Sequence, residues 1–227
     1  MFRHLLISFA LLAQALPLAA QGVRLGVRAG YSLSGIGGQG LTANRNPDVG
    51  FENENLTASG IAYRSGFHAG GYVSARREAF GFEGGLFLST RGYRYSYSET
   101  YLRTTPPDEP APVQAAVAED YRAYYLEVPL LARAYVWKGL NLALGLQPAL
   151  MLTNRFDRDV TGQPRYTRTA DDFAPFDVAL VAGLGYDLPG GFNVNLTYDS
   201  GLLGVDRQLD LYQYHRAFKV SAGYSFK

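Results

Sequence analysis

The residues of this 227-residue chain best able to do chemistry are charged side chains that recur on the polar side of alternating segments. They are Arg24, Arg28, Glu83, Arg91, Glu127, Arg133, Asp177, Asp199 and Lys219. Such a set could line a charged conduit or a solute-binding lumen. It could equally fill a narrow interior with ion pairs, since charges removed from water are tolerated only when paired. Glu127 is expected to pair with Arg91 or Arg133. A different chemistry is offered by Asp171, Asp172, Asp206, Asp210 and His215, which fall on or near long connections. Converging at a surface, they would form an Asp–His hydrolase, provided the base lay within hydrogen-bond reach of its partner. His68 lies on the polar side of a strand and reads as a packed, hydrogen-bonded interior residue.

Other chemistries lack their residues. The chain has no Cys, which removes disulfides, thiolate metal sites, thiol catalysis and a lipoprotein anchor. No P-loop, dinucleotide fingerprint or His-based zinc motif occurs, and Asp108, Glu109, Glu119 and Asp120 lack the spacing of a calcium loop. No cofactor is therefore expected. Of the 21 basic residues Arg3 falls in the N-terminal leader, which leaves 20 against 20 acidic ones. That balance, without a basic run, gives no reason to expect a nucleic-acid partner.

The elements that must position the charged set have a period of two. In Tyr124–Leu152, Tyr124, Leu126, Val128, Leu130, Ala132, Ala134 and Val136 alternate with Tyr125, Glu127, Pro129, Leu131, Arg133 and Tyr135. After Lys138-Gly139, the apolar row Leu140, Leu142, Leu144, Leu146, Pro148, Leu150 and Leu152 alternates with Asn141, Ala143, Gly145, Gln147 and Ala149. Each arm exceeds the ~9–11 residues that a tilted strand needs to cross a bilayer. Similar alternation runs through about Val23–Ser34, Ser65–Ala75, Phe80–Tyr97, Pro175–Leu188, Phe192–Ser200 and Arg216–Phe226, for eight strands in all. Turning the fourth strand over would put Glu127 and Arg133 into lipid, at ~2–4 kcal/mol for a midplane cation and somewhat less for an acid. The apolar rows therefore face lipid and the charged set faces inward. Pro129 and Pro148 cannot donate ladder hydrogen bonds, so a bulge or a missing bond is expected there.

Connections alternate in length. Arg76–Ala79, Lys138-Gly139 and Pro189–Gly191 are short, whereas Gly35–Arg64, Ser98–Asp120, Phe156–Ala174 and Gly201–His215 are long. The expected fold is all-β: an eight-stranded antiparallel up-and-down transmembrane β-barrel with short periplasmic turns and long extracellular loops. The 17 Tyr and 13 Phe suit two interfacial belts. Trp137, Tyr186, Phe192, Tyr224 and Phe226 fall near the short turns. Tyr31, Tyr93, Tyr95, Tyr121, Tyr124, Phe176 and Tyr198 fall near the long loops. Residues 1–20 read as a cleaved signal peptide, with Arg3 and His4 before a short apolar run and Leu18-Ala19-Ala20 before the cut. Residues 21–227 are then the barrel domain, exported to the cell outer membrane.

Tyr125-Leu126-Glu127-Val128-Pro129-Leu130-Leu131 resembles a strand motif of the PorT-like outer-membrane β-barrel proteins, a porin family of Gram-negative bacteria. Gly26–Ser32, Gly183–Tyr186 and Val220–Phe226 resemble its other strands. The resemblance implies a Gram-negative outer membrane and a barrel domain without a defined activity. Eight strands leave an interior about filled by side chains, whereas wide channels need ~16–18. The reading is a non-enzymatic barrel with a filled polar lumen, serving envelope integrity, surface interaction or an envelope assembly. The alternatives are a narrow porin for small solutes and, behind it, the Asp–His hydrolase. The expected partners are the outer-membrane lipid bilayer and, through the long loops, an envelope or extracellular protein.

Overall fold

The computed structural model describes residues 22–38, 57–103, 111–169, 173–204 and 213–226. The proposed leader, Asp171, Asp172, Asp206 and Asp210 lie outside them. The strands are β1 (Val23–Gly38), β2 (Thr57–Arg77), β3 (Phe80–Arg103), β4 (Ala111–Glu127), β5 (Leu130–Trp137) and β6 (Leu140–Val160). They continue with β7 (Tyr166–Arg168), β8 (Phe176–Asp187), β9 (Phe192–Gly201) and β10 (Gln213–Ser225).

Every pairing is antiparallel, and the pairings return to their start. β1 pairs with β2, β2 with β3, and β3 with both β4 and β5. Both of those pair with β6, then β6 with β8, β8 with β9, β9 with β10, and β10 with β1. β4 and β5 are two lengths of one stave, and β7 is a short addition to the far end of β6. The ring therefore has eight staves and no edge within it. Closure is what hydrocarbon demands, because an unpaired backbone group has no water to turn to.

The faces are inverted relative to a water-soluble protein. Leu25, Phe82, Leu86, Leu144, Leu146, Phe192 and Val220 are among the exposed large side chains, while Arg28, Glu83, Arg91, Glu127 and Lys219 are buried. Short turns tie the staves at one end. Lys138 and Gly139 both have positive φ, 29° and 97°, as a two-residue hairpin matched to strand twist requires. A Cβ on Gly139 would also strike the Asp187 carbonyl oxygen.

Two expectations need correction. The long connections are partly strand: β3 runs to Arg103 and β4 starts at Ala111, while β6 continues to Val160. The cause is that the alternation does not stop where the apolar belt does. Ala115 and Val117 stay buried between exposed neighbours, Tyr121 is buried too, and Val117 is paired with both Tyr97 and Val160. The outer lengths of β3, β4 and β6, flanked by the start of β2 and by β7, thus project as a sheet beyond the ring. Tyr93 and Tyr121, expected in the outer belt, are 1% and 0% exposed inside. They share the parity of Arg91 and Tyr125, so the period that faces those residues inward does the same for the tyrosines.

The prolines do break the ladder. Val128 and Pro129 belong to no strand, and the gap is bridged by Val128 N–H donating to the Pro148 carbonyl at 2.8 Å and Gly85 N–H to the Pro129 carbonyl at 3.1 Å. The neighbouring bulge falls on β6, where Tyr124 is opposite Thr153 but Tyr125 opposite Met151. Leu146 is half exposed at the middle of the outward row of β6. Leu146→Arg should cost about 2–4 kcal/mol in urea unfolding from lipid vesicles. An unchanged midpoint would contradict the lipid-facing assignment.

Candidate functional site

The inward parity of the ring gathers the charged set into two layers. Nearer the short turns, Glu83 on β3 accepts from two arginines. Arg28 on β1 grips it bidentately, Nη1 to Oε1 at 2.6 Å and Nη2 to Oε2 at 2.9 Å. Arg133 on β5 reaches Oε2 at 2.9 Å. Neutral groups meet further guanidinium donors: Arg133 Nη1 donates to Asn141 at 2.7 Å and Asn195 at 3.0 Å, and Arg28 Nε to Asn193 at 3.3 Å. Asn193 Nδ2 in turn donates to the Tyr72 hydroxyl at 2.7 Å, and the Tyr72 ring lies 4.3 Å beneath the Arg28 guanidinium.

Nearer the long loops, Glu127 on β4 is the hub. Arg91 Nε donates to its Oε1 at 2.8 Å, and Lys219 Nζ to its Oε2 at 2.7 Å. Arg91 Nη1 also holds Asp177 at 2.7 Å, and Lys219 also holds Asp199 at 2.6 Å. Gln147 Nε2 donates to Asp199 at 3.1 Å. The two layers together contain four cations (Arg28, Arg91, Arg133, Lys219) and four carboxylates (Glu83, Glu127, Asp177, Asp199), so the network is electroneutral.

Room for these side chains comes from inward-facing glycines. A Cβ on Gly185 would lie 2.6 Å from Asn141 Oδ1 and 2.7 Å from Arg133 Nη1. A roof of rings closes the long-loop end: Tyr93 stacks on Tyr121 with centroids 5.4 Å apart, and Tyr121 on Phe173 at 4.2 Å. Beneath it the Tyr125 hydroxyl lies 3.3 Å from His215 Nε2. With water excluded above and hydrocarbon around, each charge depends on its partner.

The structure brings together Arg28, Glu83, Arg91, Glu127, Arg133, Asp177, Asp199 and Lys219, and places Arg24 apart. Arg24 is exposed at the short-turn end of β1 and joins no ion pair among the described residues, because its inward position falls at the open rim. Of the two pairings expected for Glu127, Arg91 takes it, while Arg133 turns to Glu83. His215 is not a surface base. It sits inside on β10, 5% exposed, since Gln213, His215 and Ala217 carry the inward parity of Lys219 outward along the strand. The proposed acid partners Asp171, Asp172, Asp206 and Asp210 lie outside the described residues. His68 is buried on the inward face of β2, beside Phe87.

Sequence reasoning passed over the neutral members. Asn141, Asn193, Asn195, Gln147 and Tyr72 supply hydrogen bonds to the charged set or to one another, and their signal is the same inward parity. Outside the membrane-facing rows, Thr167 on β7 donates its hydroxyl to Asp157 on β6 at 2.6 Å. That bond first, and the guanidiniums of Arg155 and Arg165 next, hold the Asp157 carboxyl below its usual range.

The outer membrane protein β-barrel domain family matches residues 13–207. Among solved structures, the attachment invasion locus protein Ail of Yersinia pestis, in complex with the heparin analogue sucrose octasulfate, is 14% identical. The alignment covers 91% of this chain and 100% of that one, with a TM-score of 0.46. Neisserial surface protein A is 12% identical over 91% of this chain and 100% of its own, with a TM-score of 0.47. No curated protein matches the chain.

Removing the hub should leave two buried cations without their shared acid. Glu127→Ala is expected to cost about 3–5 kcal/mol in denaturant unfolding. Arg24→Ala, at the exposed rim, should stay within ~0.5 kcal/mol of wild type. Equal, small effects would show that the interior network does not hold the barrel together.

Proposed function

This chain belongs to the outer membrane protein β-barrel domain family, and from that membership we propose that it is a non-enzymatic, non-conducting outer-membrane barrel of the PorT-like type. Its interior seals and stiffens the wall, and its external sheet is the working surface, serving surface interaction or an envelope assembly. Residues 1–20 direct its export and are removed. The observation that carries the reading is the electroneutral interior. A conduit selective for ions presents a surplus of one sign along its path, whereas here each carboxylate is taken up by at least one cation. Eight staves leave no bore beyond what side chains fill, and stacked rings roof the outer end.

Single-channel recording of the refolded mature protein in a planar bilayer tests this. Folded wild-type barrel is expected to give no steady unitary conductance. Reproducible channels would overturn the reading in favour of a narrow porin, and Arg28, Arg91, Glu127 and Arg133 would become its selectivity residues.

A further inference from the structure

On the outward face of β3, β4 and β6, the apolar rows stop within about two residues of one another on the long-loop side. They end at Leu88 on β3, Tyr124 on β4 and Leu152 on β6, all exposed. The next outward positions on β4 and β6 beyond the Tyr124–Thr153 pair are Arg122 and Arg155, and they face each other directly across the ladder. At ~3.3 Å per residue, two residues put these guanidiniums roughly 7 Å beyond Tyr124. That is the headgroup layer of the external leaflet.

Like charges directly opposite one another in a ladder are destabilising. Arg122 is exposed and has no ion-pair partner among the described residues. Arg155 is 61% exposed at its side chain and leans outward onto Asp157 at 3.0 Å. The acids come only in the following rows: Asp120 beside Arg94 and Arg64, Asp157 beside Arg165, then Asp159. The row nearest lipid is thus wholly cationic. Within the patch the arginines Arg64, Arg94, Arg122, Arg155 and Arg165 outnumber the carboxylates Asp120, Asp157 and Asp159 by two. An arrangement made only to pair charges would set an acid opposite Arg122.

We propose that the Arg122–Arg155 pair, set immediately above the apolar belt, binds a phosphate-bearing lipid headgroup of the outer leaflet. A phosphate offers oxygens to two guanidinium forks at once, removes the like-charge repulsion, and arrives anchored by acyl chains lying against Leu88, Tyr124 and Leu152. The inference concerns the outer face and stands whether or not the lumen conducts.

The test uses refolded barrel in neutral detergent micelles, titrated with diphosphorylated lipid A, with its dephosphorylated form, and with inorganic phosphate. Binding is read by thermophoresis and by the shift in melting temperature. The phosphorylated lipid should bind and raise the melting temperature; the dephosphorylated lipid should not, and millimolar inorganic phosphate should not displace the bound lipid. At about fivefold per arginine, Arg122→Gln/Arg155→Gln should weaken binding roughly twenty-fivefold. Arg24→Gln/Arg77→Gln, at the opposite end, should leave it unchanged. Without anionic lipid the Arg122→Gln/Arg155→Gln barrel should melt at or above the wild-type temperature, which separates lost binding from lost folding. Equal binding of dephosphorylated lipid, no effect of the double substitution, or full displacement by inorganic phosphate would each overturn the proposal.

Discussion

The interior of a narrow barrel holds charges that can reach neither water nor lipid, and the structure depends on their cancelling. A single carboxylate, Glu127, joins Arg91 and Lys219, which themselves hold Asp177 and Asp199. The five groups come from β3, β4, β8, β9 and β10, so their pairing ties together staves that are distant in sequence. Glu83 does the same for β1, β3 and β5 through Arg28 and Arg133. Taken alone, the Glu83 layer has one positive charge in excess and the Glu127 layer one negative. Neither would be neutral without the other. Electroneutrality is thus a property of the whole ring, and it sets in only when β10 has closed against β1.

Local irregularity serves the same end. Pro129 interrupts the fourth stave just after Glu127, and β6 bulges opposite Tyr124–Tyr125, just before it. A uniform ladder would hold the inward side chains of β4 at fixed spacing. The break and the bulge bracket the hub and free its backbone from that spacing. Inward glycines act similarly by subtraction: Gly185 gives up its own side chain so that Arg133 can lie across β8 and meet Asn141 and Asn195.

The period of two was enough to read the staves, their facing and the membership of the inward set, because a one-residue slip would move every charge into lipid. Partner choice was not legible. Arg91 and Arg133 carry the same charge and parity, and only the stagger between staves gives Glu127 to one and Glu83 to the other. Arg24 shows the limit of parity from another side: it has the inward phase, but the rim is wet there, so phase alone does not bury it. Strand structure at Ser98–Arg103 and Ala111–Asp120 is hidden in the sequence, because the apolar rows have ended there and prolines and small residues carry a ladder that β6 completes from far along the chain. His215 takes the phase of Lys219, and its nearness to a long connection hides that.

The projecting sheet joins the two surfaces. Its inward face supplies Tyr93 and Tyr121, whose stack with Phe173 excludes water from the network below and so strengthens every pair in it. Its outward face, freed of lipid one row above Tyr124, carries exposed arginines instead. Strand alternation makes both outcomes from one run of residues: in Ala118–Tyr125, Tyr121, Ala123 and Tyr125 turn inward, while Ala118, Arg122 and Tyr124 turn outward. Any substitution that shifts this run by one residue would open the roof and bury Arg122 together. The sealed interior and the charged exterior are therefore held in register by the same backbone, and neither can drift in sequence without the other.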